Sequence, residues 1–407
     1  MASLIRILVV GTADTKGEEL AYLADRIAAA GAVPVLVDVG IGAAKTSTII
    51  ANTEIAACHP DGMVFLGKGD RGIAVTAMGQ SLRRWLERRK DFDAIIGIGG
   101  GGGTSIITEG MQALPIGLPK LMVSTMASGN VSPYVGVTDI TMMYSVTDFA
   151  GLNRLSRVIL ANAAWGIAGM AQARAQVTQA KPAVGLTMFG VTTPCVSAVA
   201  AQLKDSFDCM VFHATGTGGR AMEKLVDSGM ITGLIDVTTT EICDYLCGGV
   251  LSAGPDRLGA VARTGIAYVG SAGALDMVNF QDPETVPQRY AGRLFHRHNP
   301  QVTLMRTTPA ECAGIGRFIA EKLNACSGPV RFLIPEGGVS MLDAPGQPFF
   351  DPEADAALFD AIEAGLRQTS DRKLVRLPFH INAPEFAAAL VQQFLAITPA
   401  RSHHAGA

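Results

Sequence analysis

The sequence predicts an α/β fold made of two doubly wound, Rossmann-like subdomains with mostly parallel sheets. Three observations lead there. Unbroken apolar runs alternate with amphipathic helical stretches, the pattern of parallel strands covered on both faces. Nearly every Gly/Thr/Ser/Asp cluster falls just after such a run, where the ligands of open parallel sheets sit. The pattern also starts afresh halfway along: Leu8-Val9-Val10-Gly11-Thr12 has a counterpart in Thr187-Met188-Phe189-Gly190-Val191-Thr192. With 407 residues, 48% of them hydrophobic, the chain can fill two cores. The break at Gln179-Ala180-Lys181-Pro182 places the boundary between a nucleotide-side subdomain, 1–180, and a substrate-side subdomain, 181–407.

In the first half, Ile5–Val10 is an apolar strand and Glu18–Ala30 an amphipathic helix closed by Gly31. Pro34–Val39, Asp61–Leu66, Asp93–Ile98 and Pro119–Ser124 read as the second to fifth strands. A basic helix runs through Arg83-Arg84 and Arg88-Arg89-Lys90, and a long Ala-rich helix from Phe149 to about Val177 suits a core or a subunit contact. In the second half, Ala183–Phe189, Cys209–Ala214, Ile231–Val237, Gly265–Gly270, Val330–Pro335 and Lys373–Leu377 read as strands, with a helix from Cys195 to about Asp205.

Composition narrows the function. Lys+Arg at 33 against Asp+Glu at 36 gives a net charge of -3, so no bulk attraction to nucleic acid or an anionic membrane is expected. The longest uncharged stretch, Leu121–Thr138, holds Ser, Asn, Pro and Gly and is not expected to cross a bilayer. Seven cysteines without close metal-type pairs, and an N-terminus that runs straight into a strand, suggest a cytoplasmic protein with reduced thiols.

Three clusters of the first half suit a phosphate-bearing ligand. Gly11-Thr12-Ala13-Asp14-Thr15-Lys16 enters a helix and offers amides, hydroxyls and a cation; capping by Asp14 or Thr15 is the rival role. Gly99 to Gly103 are five consecutive glycines followed by Thr104, costly in backbone entropy and explained by a ligand close to the main chain or by a flexible turn. Ser124, Met126, Ser128, Gly129 and Asn130 follow the fifth strand, with Asp139 and Asp148 downstream as candidates to help hold magnesium. Lys68-Gly69-Asp70-Arg71-Gly72 is either a site loop or a solvated turn.

In the second half, His213 ends a strand, and Thr215, Gly216, Gly218 and Arg220 open a helix, an arrangement suited to an anion. Glu241, Asp276 and Asn279 lie after strands; either acid suits a general base, a metal ligand or a helix cap. His296 and His298 share a face of an extended segment, with Asn299 and Arg306 nearby, suiting acid/base chemistry, a metal or an anion. No metal ligand set is specified by spacing. Cys243 and Cys247 suit buried packing, Asp351-Pro352-Glu353 a helix start, and Glu336–Ser340 a segment closing the site.

The runs His213-Ala214-Thr215-Gly216-Thr217-Gly218-Gly219, Gly273-Ala274-Leu275-Asp276-Met277-Val278-Asn279-Phe280 and His298-Asn299-Pro300, with Gly11–Lys16, resemble a family whose plant member supplies the N-terminal ATP-binding domain of the tomato mosaic virus resistance protein. Many of its bacterial members are labelled only an uncharacterised family. The resemblance runs nearly end to end. It implies two Rossmann-like subdomains, ATP with Mg²⁺ on the N-terminal one, and a homodimer. Plant members can add a barrel domain, which a partner protein would have to supply here.

Taken together, the expectation is an ATP-dependent cytoplasmic enzyme, a ligase or phosphoryl-transfer enzyme. ATP would contact the Gly11–Lys16, Gly100–Thr104 and Ser124–Asn130 loops. A small anionic metabolite would lie between the halves, at Thr215, Gly216, Gly218, Arg220, Asn279, His296, Asn299 and Arg306, with His213, His298, Asp276 or Glu241 as acid or base. The alternative is a nucleotide-responsive protein-binding module without catalysis. A nicotinamide dehydrogenase is disfavoured, because no acid follows the five glycines at the end of a next strand.

Overall fold

The computed structural model describes residues 4–43, 47, 49–66, 69–173 and 181–398. Lys68, the helix end beyond Ala173 and the boundary pair Gln179-Ala180 lie outside them. The chain divides into two compact units, Met1–Val177 and Thr178–Ala407.

The first unit is a parallel sheet of β1 (Arg6–Gly11), β2 (Val33–Asp38), β3 (Ala94–Gly99), β4 (Lys120–Ser124) and β5 (Ile140–Tyr144), in the order β2-β1-β3-β4-β5. Side chains alternate across each strand. Ile7, Val9, Ile96 and Ile98 pack against the helices Gly17–Ala29 and Arg154–Gln172. Leu8, Val10 and Ile95 pack on the other face against the helices Arg71–Glu87 and Gly101–Ala113.

One expected strand is not there. Residues 61–66 form turns: Gly62 takes φ 68, and the Gly62 and Leu66 amides donate to the nearby His59 and Met63 carbonyls instead of a ladder. Only Phe65 of that apolar run is deeply buried, while Met63 and Val64 are exposed. The fifth strand is instead β5, whose mixed residues hid it from a search for apolar runs. Beside it, Lys120 is wholly buried yet satisfied: its Nζ donates to the Pro115 and Leu118 carbonyls and pairs with Asp139 at 2.6 Å. Asp139 is thereby tied to Lys120, and its other oxygen accepts from the Gly117 amide.

The second unit repeats the topology. Strands β6 (Ala183–Met188), β7 (Asp208–His213), β8 (Gly233–Thr238) and β9 (Ala267–Gly273) belong to its six-stranded parallel sheet. An inserted antiparallel sheet follows, formed by β10 (Met277–Phe280), β11 (Phe295–Asn299) and β12 (Val302–Arg306). Then come β13 (Val330–Pro335) and β14 (Arg372–Leu377), and the large sheet runs β14-β13-β9-β8-β6-β7. In both units the first strand of the sheet lies between the second and the third, so the restart seen in the sequence has a structural counterpart. Helices cover both faces, with Leu234, Tyr268 and Phe332 on one side and Val184, Ile235 and Leu333 on the other. Among the described residues, no helix is long and apolar enough to cross a membrane.

Some glycines are demanded by this packing. A Cβ on Gly97 would lie 2.6 Å from Ile107 Cγ2 and 2.8 Å from Met122 Sδ, so the helix over β3 sits on bare backbone. Gly97→Ala is expected to cost about 1–3 kcal/mol through overpacking, read as a lowered midpoint in urea unfolding.

Candidate functional site

In the order β2-β1-β3-β4-β5, the chain leaves β1 and β3 toward opposite sides of the sheet. The crevice between their carboxyl ends is the usual ligand position of such folds. A cavity of about 320 Å³ lies there. Thr12, Asp14, Thr15 and Lys16 line it from the end of β1, and Gly100–Gly103 from the end of β3. Arg71, Asp148 and the apolar Ile41, Val75 and Ile106 complete the wall. Sequence reasoning thus brought two of its three nucleotide loops to one place.

The glycines of the third strand's loop divide by cause. Gly99 is required internally, because a Cβ there would meet the Thr104 amide at 2.8 Å. Gly100 to Gly103 are not: among the described residues an added Cβ would meet nothing closer than 3.6 Å, and none of the four has a positive φ. Neither packing nor backbone geometry asks for glycine at these positions. They form the N-cap and first turn of the helix Gly101–Ala113, which has no side-chain cap and no acid in its first turn. Its unsatisfied amides and positive dipole end stand at a wall free of side chains. The helix Gly17–Ala29 also lacks a side-chain cap, but carries Glu18 and Glu19 in its first turn. The capping roles considered for Asp14 and Thr15 are not what the structure shows.

Charge is arranged around this wall. Arg71 has no ion-pair partner among the described residues, and its Nη2 lies 4.0 Å from the Cβ position of Gly102. Sequence reasoning noted Arg71 only within a mixed turn; the signal it lacked was that Asp70 caps the helix Arg71–Glu87 and so orients that turn. Lys16 Nζ donates to the Phe149 carbonyl at 3.0 Å. Thr12 and Thr15 share a hydroxyl contact of 2.7 Å. Asp14 accepts from the Gly42 amide with Oδ2 and leaves Oδ1 buried without a partner among the described residues. Asp38, at the end of β2, binds the Ala13 and Gly40 amides through Oδ1, and among the described residues its Oδ2 is likewise unpartnered. Burial raises the Asp38 pKa, against the lowering effect of those amides.

The third loop plays a different part. Ser124 and Thr104 are buried and joined by a 2.6 Å hydroxyl contact that ties β4 to the glycine helix. Met126 is exposed, with its sulfur 3.9 Å from the Cβ position of Gly101. Ser128, Gly129 and Asn130 are exposed and outside the cavity wall, and Asn130 accepts from the Ser132 amide. The basic helix face is partly neutralised, Arg83 by Glu87 and Glu109 and Arg89 by Asp91.

The glycine-rich helix start that follows β7 in the second unit is filled from within. Glu241 Oε1 accepts from the Gly216 and Gly219 amides at 2.6 and 3.0 Å, at the start of the helix Thr217–Asp227. Its Oε2 accepts from Arg257, which also binds Asp236 and Glu223 in a fully buried network. Gly216 takes φ 81, and a Cβ on Gly218 or Gly219 would collide with the His213 carbonyl or with Glu241. The anion expected at Gly216 and Gly218 is therefore the protein's own carboxylate, and Glu241 is no free general base. Arg220 donates Nε to the Gly216 carbonyl, and Thr215 contacts the His213 carbonyl.

Other expected site residues are also committed to the interior. Asn279 is buried and bound to Asp244 at 2.6 Å. Arg306 is 4% exposed and donates to Phe349, Thr307 and Asp355, so it is not available at the surface to clamp an anion. Asp276 is wholly buried, with Oδ2 accepting from Ser340 and Oδ1 unpartnered. His213, His298 and Asn299 are exposed, and His296 is half-buried against Phe349. Among the described residues no ring contact or hydrogen bond joins these histidines, and no group of three or more His, Cys, Asp or Glu side chains is placed to hold a metal.

Asp276, Asp343 and Asp355 crowd around the single guanidinium of Arg306. Burial, then the charge of Asp343, pushes the Asp276 carboxyl up to about 7 against the pull of Arg306. Burial and Asp343 raise Asp355 as well. A raised carboxyl pKa means that the folded state binds protons the unfolded chain has lost. Stability is then full below the unfolded value near 4 and is lost as pH rises to about 7. Asp276→Asn is expected to flatten this decline and to raise the thermal midpoint above pH 7 relative to wild type, with little difference at pH 4; parallel pH profiles of the two proteins would count against it.

Residues 5–176 match the N-terminal domain, and residues 181–398 the C-terminal domain, of the family described as Uncharacterised protein family (UPF0261). A UPF0261 protein of Rhizobium meliloti (strain 1021) is 63% identical over 390 residues, 96% of this chain and 98% of its own. One of Clostridium tetani is 44% identical over 397 residues, 96% of this chain and 98% of its own. The ToMV resistance protein Tm-1(GCR237) of Solanum lycopersicum is 41% identical over 425 residues, covering 98% of this chain and 56% of the tomato protein. With both domains matched in order and relatives aligned over almost its whole length, the chain belongs to the UPF0261 family.

Proposed function

We propose that the N-terminal unit binds ATP in the crevice between β1 and β3. The observation that carries this reading is the set of four glycines, Gly100–Gly103, that the protein's own packing does not require, in the uncapped first turn of a helix facing a cavity. A triphosphate against those amides explains both features. Arg71 supplies a matching cation, and Val75, Ile106 and Ile41 offer apolar surface for the base. Asp14, with its unpartnered Oδ1, suits a magnesium ion carried with the phosphates, since Mg²⁺ is commonly held by one or two carboxylates plus substrate oxygens. When bound, that ion would neutralise phosphate charge.

The reaction class this suits is ligation or phosphoryl transfer to a small anionic metabolite. In the C-terminal unit the groups left for such a reactant are the exposed His213, Arg220 and His298 and the half-buried His296. Seven unpaired cysteines support a reducing, cytoplasmic setting.

The test separates ligand loss from misfolding. Gly101→Ala combined with Gly102→Ala should leave the fold intact and stabilise the helix by roughly 0.5–1 kcal/mol per site. The same variant should weaken MgATP binding roughly tenfold or more, measured by calorimetry. Arg71→Ala should weaken it by a similar factor, about what one charge-assisted hydrogen bond contributes. Absence of MgATP heat in the wild-type protein, or unchanged affinity in both variants, defeats the reading.

The helix Arg154–Gln172 favours self-association. Leu155, Val158 and Trp165 share one outward face, with Val158 54% and Trp165 59% exposed. A second copy of the chain is the proposed occupant. Sedimentation should show a dimer that Trp165→Glu dissociates; a monomeric wild type at micromolar concentration would rule it out.

A further inference from the structure

We infer that the antiparallel sheet of the C-terminal unit carries a binding site for a small apolar carboxylate, a compound with one anionic group on an aromatic or aliphatic body. In β10, β12 and β11, Phe280, Thr303 and Arg297 are direct cross-strand neighbours, so their side chains share one face. Phe295, two residues before Arg297, lies on the same face. The single turns Pro283–Thr285 and Gln288–Tyr290 pass over it and enclose a cavity of about 360 Å³. Its walls are largely apolar: Pro283, Val286, Pro287, Tyr290 and Phe295.

Two polar side chains of this cavity, Thr303 and Arg297, stand without an ionic or hydrogen-bonding partner among the described residues. Thr303 lines it and is only 4% exposed, yet its hydroxyl has no hydrogen-bond partner among the described residues. Other buried threonines of the same unit are satisfied: Thr239 donates to Ser271, Thr240 to Met277 and Thr307 to Leu275. Arg297 stands exposed at the mouth with no ion-pair partner among the described residues. Its neighbours are engaged, Arg289 with the Cys247 carbonyl and Arg293 with Glu311. Since Arg297 and Thr303 are opposite each other in register, one carboxylate can take the guanidinium fork and the hydroxyl together while its body fills the apolar space.

A single cation among apolar walls fits one negative charge, not a polyphosphate. The site belongs to a different unit from the nucleotide crevice, and the inference does not rest on that reading.

The experiment is ligand-observed NMR and calorimetry on the full chain with phenylacetate, octanoate and indole-3-acetate, and with phenylacetamide as a neutral control. At least one carboxylate should bind saturably, the amide roughly tenfold more weakly. Arg297→Gln, at an exposed position, should weaken the carboxylate roughly tenfold. Thr303→Val should weaken it severalfold while leaving the thermal midpoint of the free protein unchanged or raised, since it deletes an unpaired buried hydroxyl. No saturable binding of any of the three carboxylates at millimolar concentration overturns the inference. So does binding that is unchanged in both variants, equal binding of the amide, or displacement by ATP.

Discussion

A helix that starts at the carboxyl end of a parallel strand presents amides that its own turns cannot satisfy, and those amides must find an acceptor. Two glycine-rich helix starts, one in each unit, meet this demand in opposite ways. In the second, Glu241 reaches from the end of β8 into the start of the helix Thr217–Asp227, and Arg257 holds the carboxylate in place. In the first, the start of the helix Gly101–Ala113 has no such carboxylate and faces a cavity. One glycine-rich helix start is thus filled by the protein's own carboxylate, and the other faces a cavity.

The second unit buries two separate charged clusters. Arg257 binds Asp236, Glu241 and Glu223, and Arg306 gathers Asp276, Asp343 and Asp355. Removing either arginine would leave buried carboxylates uncompensated, so each guanidinium holds its cluster together. These residues have the types and spacing of catalytic groups. Their burial ties them to one another, while other polar groups face cavities, among them Arg71, Asp14 and Lys16 in one unit and Arg297 and Thr303 in the other.

Glycine carries two meanings along the chain, and only contacts separate them. Gly97 and Gly219 are small because another group occupies the space a Cβ would need. Gly101 and Gly102 are small with that space free. In the sequence the two kinds look alike, which is why the run His213–Gly219 read as strongly as Gly99–Gly103. The cations without an ion pair among the described residues were hidden for a related reason: whether an arginine is paired depends on side chains far away in the chain, as Arg293 with Glu311 and Arg306 with Asp355 show.

The sequence by itself determined the doubly wound α/β class, the restart near residue 180, and the loops that stand at the strand ends, because apolar periodicity and glycine placement are local properties. It misplaced one strand at 61–66 and missed β5, since an apolar run is neither sufficient for a strand nor required at a sheet edge. Only the tertiary structure decided which loops face a cavity and which are filled, because that depends on Glu241, Arg257 and Lys120 meeting partners brought close by the sheets. Burial converts a polar residue from an available group into a fixed one, and burial is a property of the folded chain as a whole.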